Sequence, residues 1–118
     1  MATLSTHTLN AADGSHAGGV AVALLRIGPG GERTTLFAGT TDAGGRLSEA
    51  FDLAGAEPSA QYELVFQTGR YFAAQSAAAV PGQERQEVVL RFAMPDPDGA
   101  YHMPLIMAPN SCSAWWSC

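Results

Sequence analysis

The sequence predicts an all-β sandwich of seven or eight antiparallel strands with one short helix. Apolar residues occur in short runs, which Gly, Pro, Asp and Ser interrupt at intervals of about eight to fifteen residues. No long stretch has the periodicity of an amphipathic helix. The 118 residues, of which 47% are hydrophobic, fit a single domain over residues 1–118 with one core.

The first two predicted strands flank a glycine-rich loop. Residues 4–10 are rich in Thr, whose β-branched side chain favours extended backbone. The loop at 11–19 carries an Asp-Gly pair and a Gly-Gly pair. Residues 20–27 (VAVALLRI) are nearly all apolar, which predicts a central strand that is buried on both faces.

Two further strands follow, each after a turn. A Gly-Pro-Gly-Gly turn at 28–31 leads to a returning strand at 32–40. A Thr-Asp-Ala-Gly-Gly turn occupies 41–45 and is followed directly by Arg46. Residues 61–68 (QYELVFQT) alternate, with three large apolar residues on one face, and so predict the next strand.

The last third of the chain contains the predicted helix and three predicted strands. The Ala-rich segment 69–79 predicts a helix of two or three turns, which a Pro-Gly pair ends. A long strand is predicted at 84–94, followed by a rigid turn (PDPDG) at 95–99. Residues 101–107 and 111–117 are the last two predicted strands.

Charge and hydropathy exclude several classes of partner. Six Lys and Arg against eleven Asp and Glu give a net charge of −5, which is unsuited to nucleic acid or to an anionic membrane surface. No apolar run approaches the ~20 residues that span a bilayer. The N-terminal residues lack the pattern of a signal peptide, so a cytoplasmic location is expected.

Charged residues make up only 14% of the chain, well below the roughly 25% that is usual in soluble domains. A surface this poor in charge suggests that copies of the chain cover part of it. The two cysteines, Cys112 and Cys118, would lie about 20 Å apart along a strand, which favours free thiols over a disulfide. Neither a metal ion nor a cofactor is expected.

Alternation identifies an unusual face on the strand at 101–107. One face carries four large apolar side chains and is predicted to face the core: Tyr101, Met103, Leu105 and Met107. The other face carries His102, Pro104 and Ile106, and is too apolar to be designed for free water. We therefore expect it to pack against another copy or to line a pocket. A tryptophan on each face of 111–117 likewise predicts burial on both sides.

Candidate catalytic side chains are few. The histidines are His7, His16 and His102, and on pattern alone a histidine within a strand is more often a structural residue than a catalyst. His16 lies in a Gly-Ser-rich loop, where we expect a solvated side chain. Arg46 follows a turn, where a surface role is the ordinary interpretation.

Four sequence blocks carry a family resemblance that covers almost the whole chain. They are LSTH at 4–7, TDAGGR at 41–46, FQTGRYF at 66–72 and YHMPLIMAP at 101–109. In this order they resemble the transthyretin-like 5-hydroxyisourate hydrolases. The resemblance implies an eight-stranded transthyretin-like sandwich and a homotetramer, built as a dimer of dimers with catalytic sites in a channel between subunits.

The resemblance also implies which residues act. Its catalytic set of two histidines and an arginine falls on His7, Arg46 and His102. We expect His102 to polarise or deprotonate a water, His7 to share or relay the proton, and Arg46 to hold the oxo groups, although the two histidine roles can be exchanged. The channel wall supplies the expected substrate-binding residues: Pro104, Ile106, Ser113, Trp115, Trp116, Ser117 and Cys118.

The chain departs from the family pattern around this site. The family ends in Tyr-Arg-Gly-Ser, where this chain has Trp115-Trp116-Ser117-Cys118. Ala100 stands where a second histidine is common, and Asn10 where an aspartate is usual. Three functions are therefore considered: opening of the 5-hydroxyisourate ring, action of a repurposed enzyme on another nitrogen heterocycle, and binding of an aromatic ligand without catalysis.

Overall fold

The computed structural model describes residues 1–75 and 81–117, which form nine strands, one α-helix and one 3-10 helix. The strands are β1 (Ala2–Asn10), β2 (Ala21–Ile27), β3 (Arg33–Thr40), β4 (Arg46–Phe51), β5 (Gln61–Phe66), β6 (Val88–Ala93), β7 (Ala100–His102), β8 (Leu105–Ala108) and β9 (Ser111–Ala114). Helix α1 spans Thr68–Gln75, and the 3-10 helix spans Gln83–Arg85. No helix in this described part has the length and apolar character needed to cross a bilayer.

The strands form two sheets, which confirms the predicted all-β sandwich with one short helix. One sheet has the order β4-β1-β8-β9, with β7 also paired to β1, and the other has the order β3-β2-β5-β6. The pairings are antiparallel, except that β1 runs parallel to β7 and to β8. Apolar side chains from both sheets form one core between them.

Strand β1 has strict alternation between a core face and an outer face. Its even-numbered residues are buried and its odd-numbered residues from Thr3 to Leu9 are half-buried. The buried polar side chains are hydrogen-bonded: Thr6 Oγ1 donates to the carbonyl of Met103 at 2.6 Å, and Thr8 Oγ1 donates to that of Ala17 at 2.7 Å. Because these bonds satisfy the buried hydroxyls, they fix the position of β1 instead of destabilising the core.

Several predicted elements have different bounds. The strand β4 was not predicted. The strand predicted at 84–94 begins only at Val88, because a 3-10 helix precedes it. Helix α1 begins at Thr68, which was placed in the preceding strand, and the part of the predicted helix at 76–79 lies outside the described residues.

The strand predicted at 101–107 is two strands, β7 and β8, interrupted at Met103 and Pro104. Proline has no amide hydrogen, so it cannot donate to a sheet ladder. The predicted core face is nevertheless confirmed, since Tyr101, Met103, Leu105 and Met107 are all buried.

Two predictions of burial are wrong for the chain by itself. Strand β2 is central in its sheet, as predicted, but only Val22 and Leu24 are buried, and its other face is half-buried. Trp115 and Trp116 are 48% and 65% exposed. The tryptophans follow β9, which ends at Ala114, so they do not lie between layers of the sandwich.

The core contains one hydroxyl that yields a stability prediction. Tyr62 is 1% exposed, and its Oη has no hydrogen-bond partner within residues 1–75 and 81–117. We expect Tyr62→Phe to leave the free energy of unfolding unchanged or to raise it by about 1 kcal/mol, because it removes an unsatisfied buried group. The neighbouring core substitution Leu64→Ala should lower it by about 2–5 kcal/mol. Urea unfolding measures both, and a large loss in Tyr62→Phe would contradict the packing described.

Candidate active site on the outer face of the first sheet

The predicted catalytic side chains lie together on the outer face of the sheet that contains β1. The Cα partner of His7 is Arg46, the first residue of β4, and the partner of Ser5 on β7 is His102. Residues directly opposite each other in neighbouring strands point to the same face, with Cβ atoms about 4.5–5.5 Å apart in antiparallel pairs. The register of β1 therefore brings His7, Arg46 and His102 to one surface, from positions 39 and 56 residues apart along the chain.

Arg46 is positioned by the turn that precedes it. The carboxylate of Asp42 accepts hydrogen bonds from the amides of Gly44 and Arg46, each at 2.9 Å. The carbonyl of Gly45 accepts two further bonds from Thr8, from its amide at 2.7 Å and from its hydroxyl at 3.2 Å. These bonds attach the turn to β1 beside His7. The backbone of Arg46 is therefore fixed, and its guanidinium extends from a defined position.

The ring of His102 is held by a hydroxyl. Ser5 Oγ lies 2.7 Å from His102 Nδ1, a strong hydrogen-bond distance. If Nδ1 carries the proton and donates it to Ser5, the lone pair of Nε2 is left for a ligand or a water. The backbone of His102 is fixed as well, because its amide and carbonyl exchange hydrogen bonds with Ser117 at 2.9 and 3.0 Å.

The prediction that the His16 side chain is exposed to solvent is confirmed, but the structure also places its ring against that of His7. Its ring is exposed, but Nδ1 lies 2.8 Å from Nε2 of His7 and 3.1 Å from the carbonyl oxygen of Gly44. The two imidazoles meet edge to edge through these nitrogens, with ring centroids 5.0 Å apart and planes inclined by 22°. No three His, Cys, Asp or Glu side chains are grouped to hold a metal ion in the part of the chain that the structure describes.

The surroundings of His7 favour its neutral form. Its pKa lies below the ordinary value of about 6.5, mainly because partial burial disfavours the imidazolium ion. Positive charge on Arg46 lowers the pKa further, followed by charge on His16 and, least, on His102, whereas the Gly44 carbonyl acts in the opposite direction. His7 is therefore neutral at pH 7 and able to accept a proton.

The predicted substrate-binding residues are placed in different ways. Ile106 is paired with Leu9 of β1 and with Ser113 of β9, so both lie on the same face as His7. Ser117 is opposite His102, and Pro104 is buried at the strand break. Ile106, Ser113 and Ser117 therefore lie in the sheet that carries His7 and His102, whereas Pro104 lies between β7 and β8.

The terminal residues are less closely associated with the histidines. Trp115 is exposed, and Trp116 lines a cavity of about 540 Å³ that also contains Tyr101 and Met103 but none of the histidines. Cys118 lies outside the described residues. Cys112, on β9, is exposed and is a free cysteine.

Two members of the site were missed from the sequence. Ser5 shares the outer face of β1 with His7 by simple alternation, and this signal was available. His16 follows an Asp-Gly pair, a turn signal that can fold a chain back on the preceding strand. The structure contains this return as a bridge between Leu9 and His16.

The fold and the site together define a class of two-sheet β-sandwich that groups imidazole and guanidinium side chains on an outer sheet face. The chain belongs to the HIUase/Transthyretin family, whose family model matches residues 4–116. This membership confirms the resemblance that the four sequence blocks indicated.

Individual relatives agree with the family. The chain is 38% identical to a protein of Deinococcus radiodurans named 5-hydroxyisourate hydrolase, over 95% of this chain and 92% of the relative. The solved structure of Klebsiella pneumoniae 5-hydroxyisourate hydrolase matches with a TM-score of 0.72 and 30% identity, covering all of both chains. Transthyretin from Sparus aurata matches with a TM-score of 0.78 and 26% identity, covering 97% of this chain and 95% of that one.

The docking of the turn on β1 can be tested at adjacent glycines. Gly45 has φ +76°, and a Cβ there would collide with the Thr8 carbonyl oxygen and approach Cδ2 of His7 to 3.3 Å. We expect Gly45→Ala to lower the free energy of unfolding by about 2 kcal/mol or more. Gly44→Ala is the matched control, since its Cβ would meet only the Asp42 carboxylate at 3.4 Å. Equal urea midpoints for the two variants would show that the turn is not docked this way.

Proposed function

We propose that this protein hydrolyses 5-hydroxyisourate, opening its six-membered ring. The observation that carries the proposal is the grouping of His7, His102 and Arg46 on one sheet face, supported by membership in the family. Two relatives named 5-hydroxyisourate hydrolase, from Deinococcus radiodurans and Mesorhizobium japonicum, each match 95% of this chain, at 38% and 39% identity.

The reaction needs acid–base groups and a positive charge. Hydrolysis of a ring amide forms one C–O bond to water and breaks one C–N bond. One water proton goes to the ring nitrogen, and the second is released with the carboxylate. Imidazole suits the proton transfers near neutral pH, and a positioned acid or base contributes typically 10²–10⁴-fold. The guanidinium can stabilise the oxyanion of the tetrahedral intermediate.

The geometry supports a role for each residue. In the proposed tautomer His102 Nδ1 donates its proton to Ser5 Oγ, and the lone pair of Nε2 deprotonates the attacking water. His7 is neutral beside Arg46 and can take up the proton that leaves with the product. Arg46 extends from the docked turn, where it can hold the oxo groups of the substrate.

The two other functions receive less support. Transthyretin-type binding of an aromatic ligand does not require this group of imidazole and guanidinium side chains. A repurposed enzyme is suggested by the Trp-Trp-Ser-Cys terminus, but Trp116 lines a cavity separate from the histidines. The grouped side chains and the named relatives favour the hydrolase.

Turnover tests the proposal directly. The purified chain, mixed with freshly generated 5-hydroxyisourate, should accelerate the loss of its ultraviolet absorbance above the spontaneous rate. His7→Ala, Arg46→Ala and His102→Ala should each lower kcat/KM by about 10²–10⁴-fold. Glu84→Gln, at an exposed residue of the 3-10 helix, serves as a control with intact activity. Absence of acceleration by the unmodified chain would reject the function, and near-normal turnover by His102→Ala would reject its role.

We further propose that the active form is a homotetramer in the cytoplasm, assembled as a dimer of dimers. The end strands β6 and β9 of the two sheets carry or adjoin exposed apolar residues, namely Val89, Trp115 and Trp116. End strands with exposed apolar side chains favour pairing with another copy. The free Cys112 fits a reducing compartment.

Sedimentation equilibrium tests the assembly. The unmodified chain should have four times the mass of one chain, and Val89→Lys should shift the population to smaller species because it places a charge on the proposed contact. Arg91→Lys, on the same strand, retains its charge and should leave the mass unchanged. A monomer at all concentrations would contradict the tetramer.

A further inference from the structure

The loop between β1 and β2 holds His16 in a defined position despite its exposure. The amide of Asn10 donates to the carbonyl of Ser15 at 2.8 Å, and the amide of Ala17 donates to that of Thr8 at 2.9 Å. The Asp13 carboxylate accepts both the amide and the hydroxyl of Ser15, at 2.9 and 2.6 Å. The loop therefore returns along β1 and delivers the ring of His16 to the ring of His7.

When both rings are neutral, only one proton can lie between Nε2 of His7 and Nδ1 of His16. His7 Nε2 and His16 Nδ1 are 2.8 Å apart, and the neighbouring Gly44 oxygen can only accept. Two N–H groups pointing at each other would repel, and two lone pairs would make no bond. One proton between the two nitrogens satisfies the contact, and it can be bonded to either nitrogen.

The two rings differ in their access to solvent. His7 lies on β1 between neighbouring strands and is half-buried, whereas His16 lies on the loop and is exposed. When Nδ1 of His16 takes up a proton, the ring becomes neutral again by losing the proton on its exposed Nε2 to water. The pair is thus a path with one end in the site and the other in bulk solvent.

We propose that His16 is a proton relay, through which His7 discharges to solvent the proton released with the product. The proposal rests on the proposed function, because ring-amide hydrolysis releases one proton per turnover. In the step, an N–H bond forms at His7 Nδ1 as the O–H bond of the product acid breaks. The proton on His7 Nε2 then moves to His16 Nδ1, and His16 Nε2 loses its proton to water or buffer, so that both rings end neutral with the opposite nitrogen protonated. Before the next turnover, water in the vacated site takes the proton from His7 Nδ1, the shared proton moves back to His7 Nε2, and His16 Nε2 takes up a proton from solvent.

Other charged groups around His7 do not offer this path. Arg46 faces it from β4, but a guanidinium has no lone pair that could accept the proton. His102 faces it from β7 but has Nδ1 bonded to Ser5. The Asp42 carboxylate of the adjacent turn is occupied by the amides of Gly44 and Arg46. Among the described residues that interact with His7, His16 is the one that combines direct contact, a titratable ring and exposure.

The coupling of the rings is tested without substrate, by NMR titration of the histidine side chains in the full chain. In His16→Ala the pKa of His7 should rise towards about 6.5, because both the charge of His16 and the cover of its ring are removed. Gly14→Ala is not a suitable control, because Gly14 has φ +79°. Ser111→Ala, on the end strand β9, should leave the titration of His7 unchanged, since Ser111 is not among the groups that interact with His7. An unshifted His7 in a folded His16→Ala would overturn the proposal.

The relay itself is tested by kinetics. His16→Ala and His16→Gln should both lower kcat roughly tenfold in dilute, weakly basic buffer, since Gln can keep a hydrogen bond but cannot carry a proton. Added imidazole should restore kcat in both variants. In His16→Ala the loss should be larger near pH 6 than near pH 8, because a His7 with a raised pKa is protonated over a wider acidic range.

The outcomes separate the two proposals. A normal kcat in His16→Gln with a reduced one in His16→Ala would show that His16 only positions His7, and would overturn the relay. An unchanged kcat in both variants would also overturn it. If the unmodified chain does not accelerate the loss of 5-hydroxyisourate, the proposed function fails, while the NMR titration still decides whether the two imidazoles are coupled.

Discussion

The register of β1 is the constraint on which the site depends. This strand pairs with β4, β7 and β8: the first pairing places Arg46 beside His7, the second places His102 beside Ser5, and the third places Ile106 beside Leu9. A slip by one residue would turn the imidazole of His7 into the core and Leu4 out of it. Burial of the even-numbered face therefore specifies the chemistry of the odd-numbered face, although the two faces share no side chain.

Close grouping of cationic side chains would be unfavourable if all of them were charged. The structure relieves this cost by keeping His7 neutral, through partial burial and the nearby charge of Arg46. Since the pKa of His7 is lower in the folded chain than in the unfolded one, its contribution to stability is present above about pH 6.5 and is lost as the pH falls through the folded value. The same surroundings therefore keep the imidazole of His7 neutral near pH 7 and cause its contribution to stability to be lost at acidic pH.

The alternation of apolar and polar residues along the sequence was sufficient to predict the core-facing side chains. It was insufficient to predict contacts between residues that are far apart in the sequence. Alternation correctly assigned the buried face of residues 101–107 and placed His102 on the other. Strand β4 was missed because Glu49 and Ala50 have low β-propensity, and its order comes from pairing with β1. His16 was missed because its contact is made by a loop that closes on a strand. The exposure of the tryptophans depends on whether another chain covers them, which a single sequence does not encode.

The strict division of β1 into two faces has a consequence for how such proteins diverge. Substitutions at outward-facing positions alter the ligand surface while the even-numbered residues continue to hold the sandwich together. Such a scaffold can exchange one ligand preference for another through a few mutations at little thermodynamic risk.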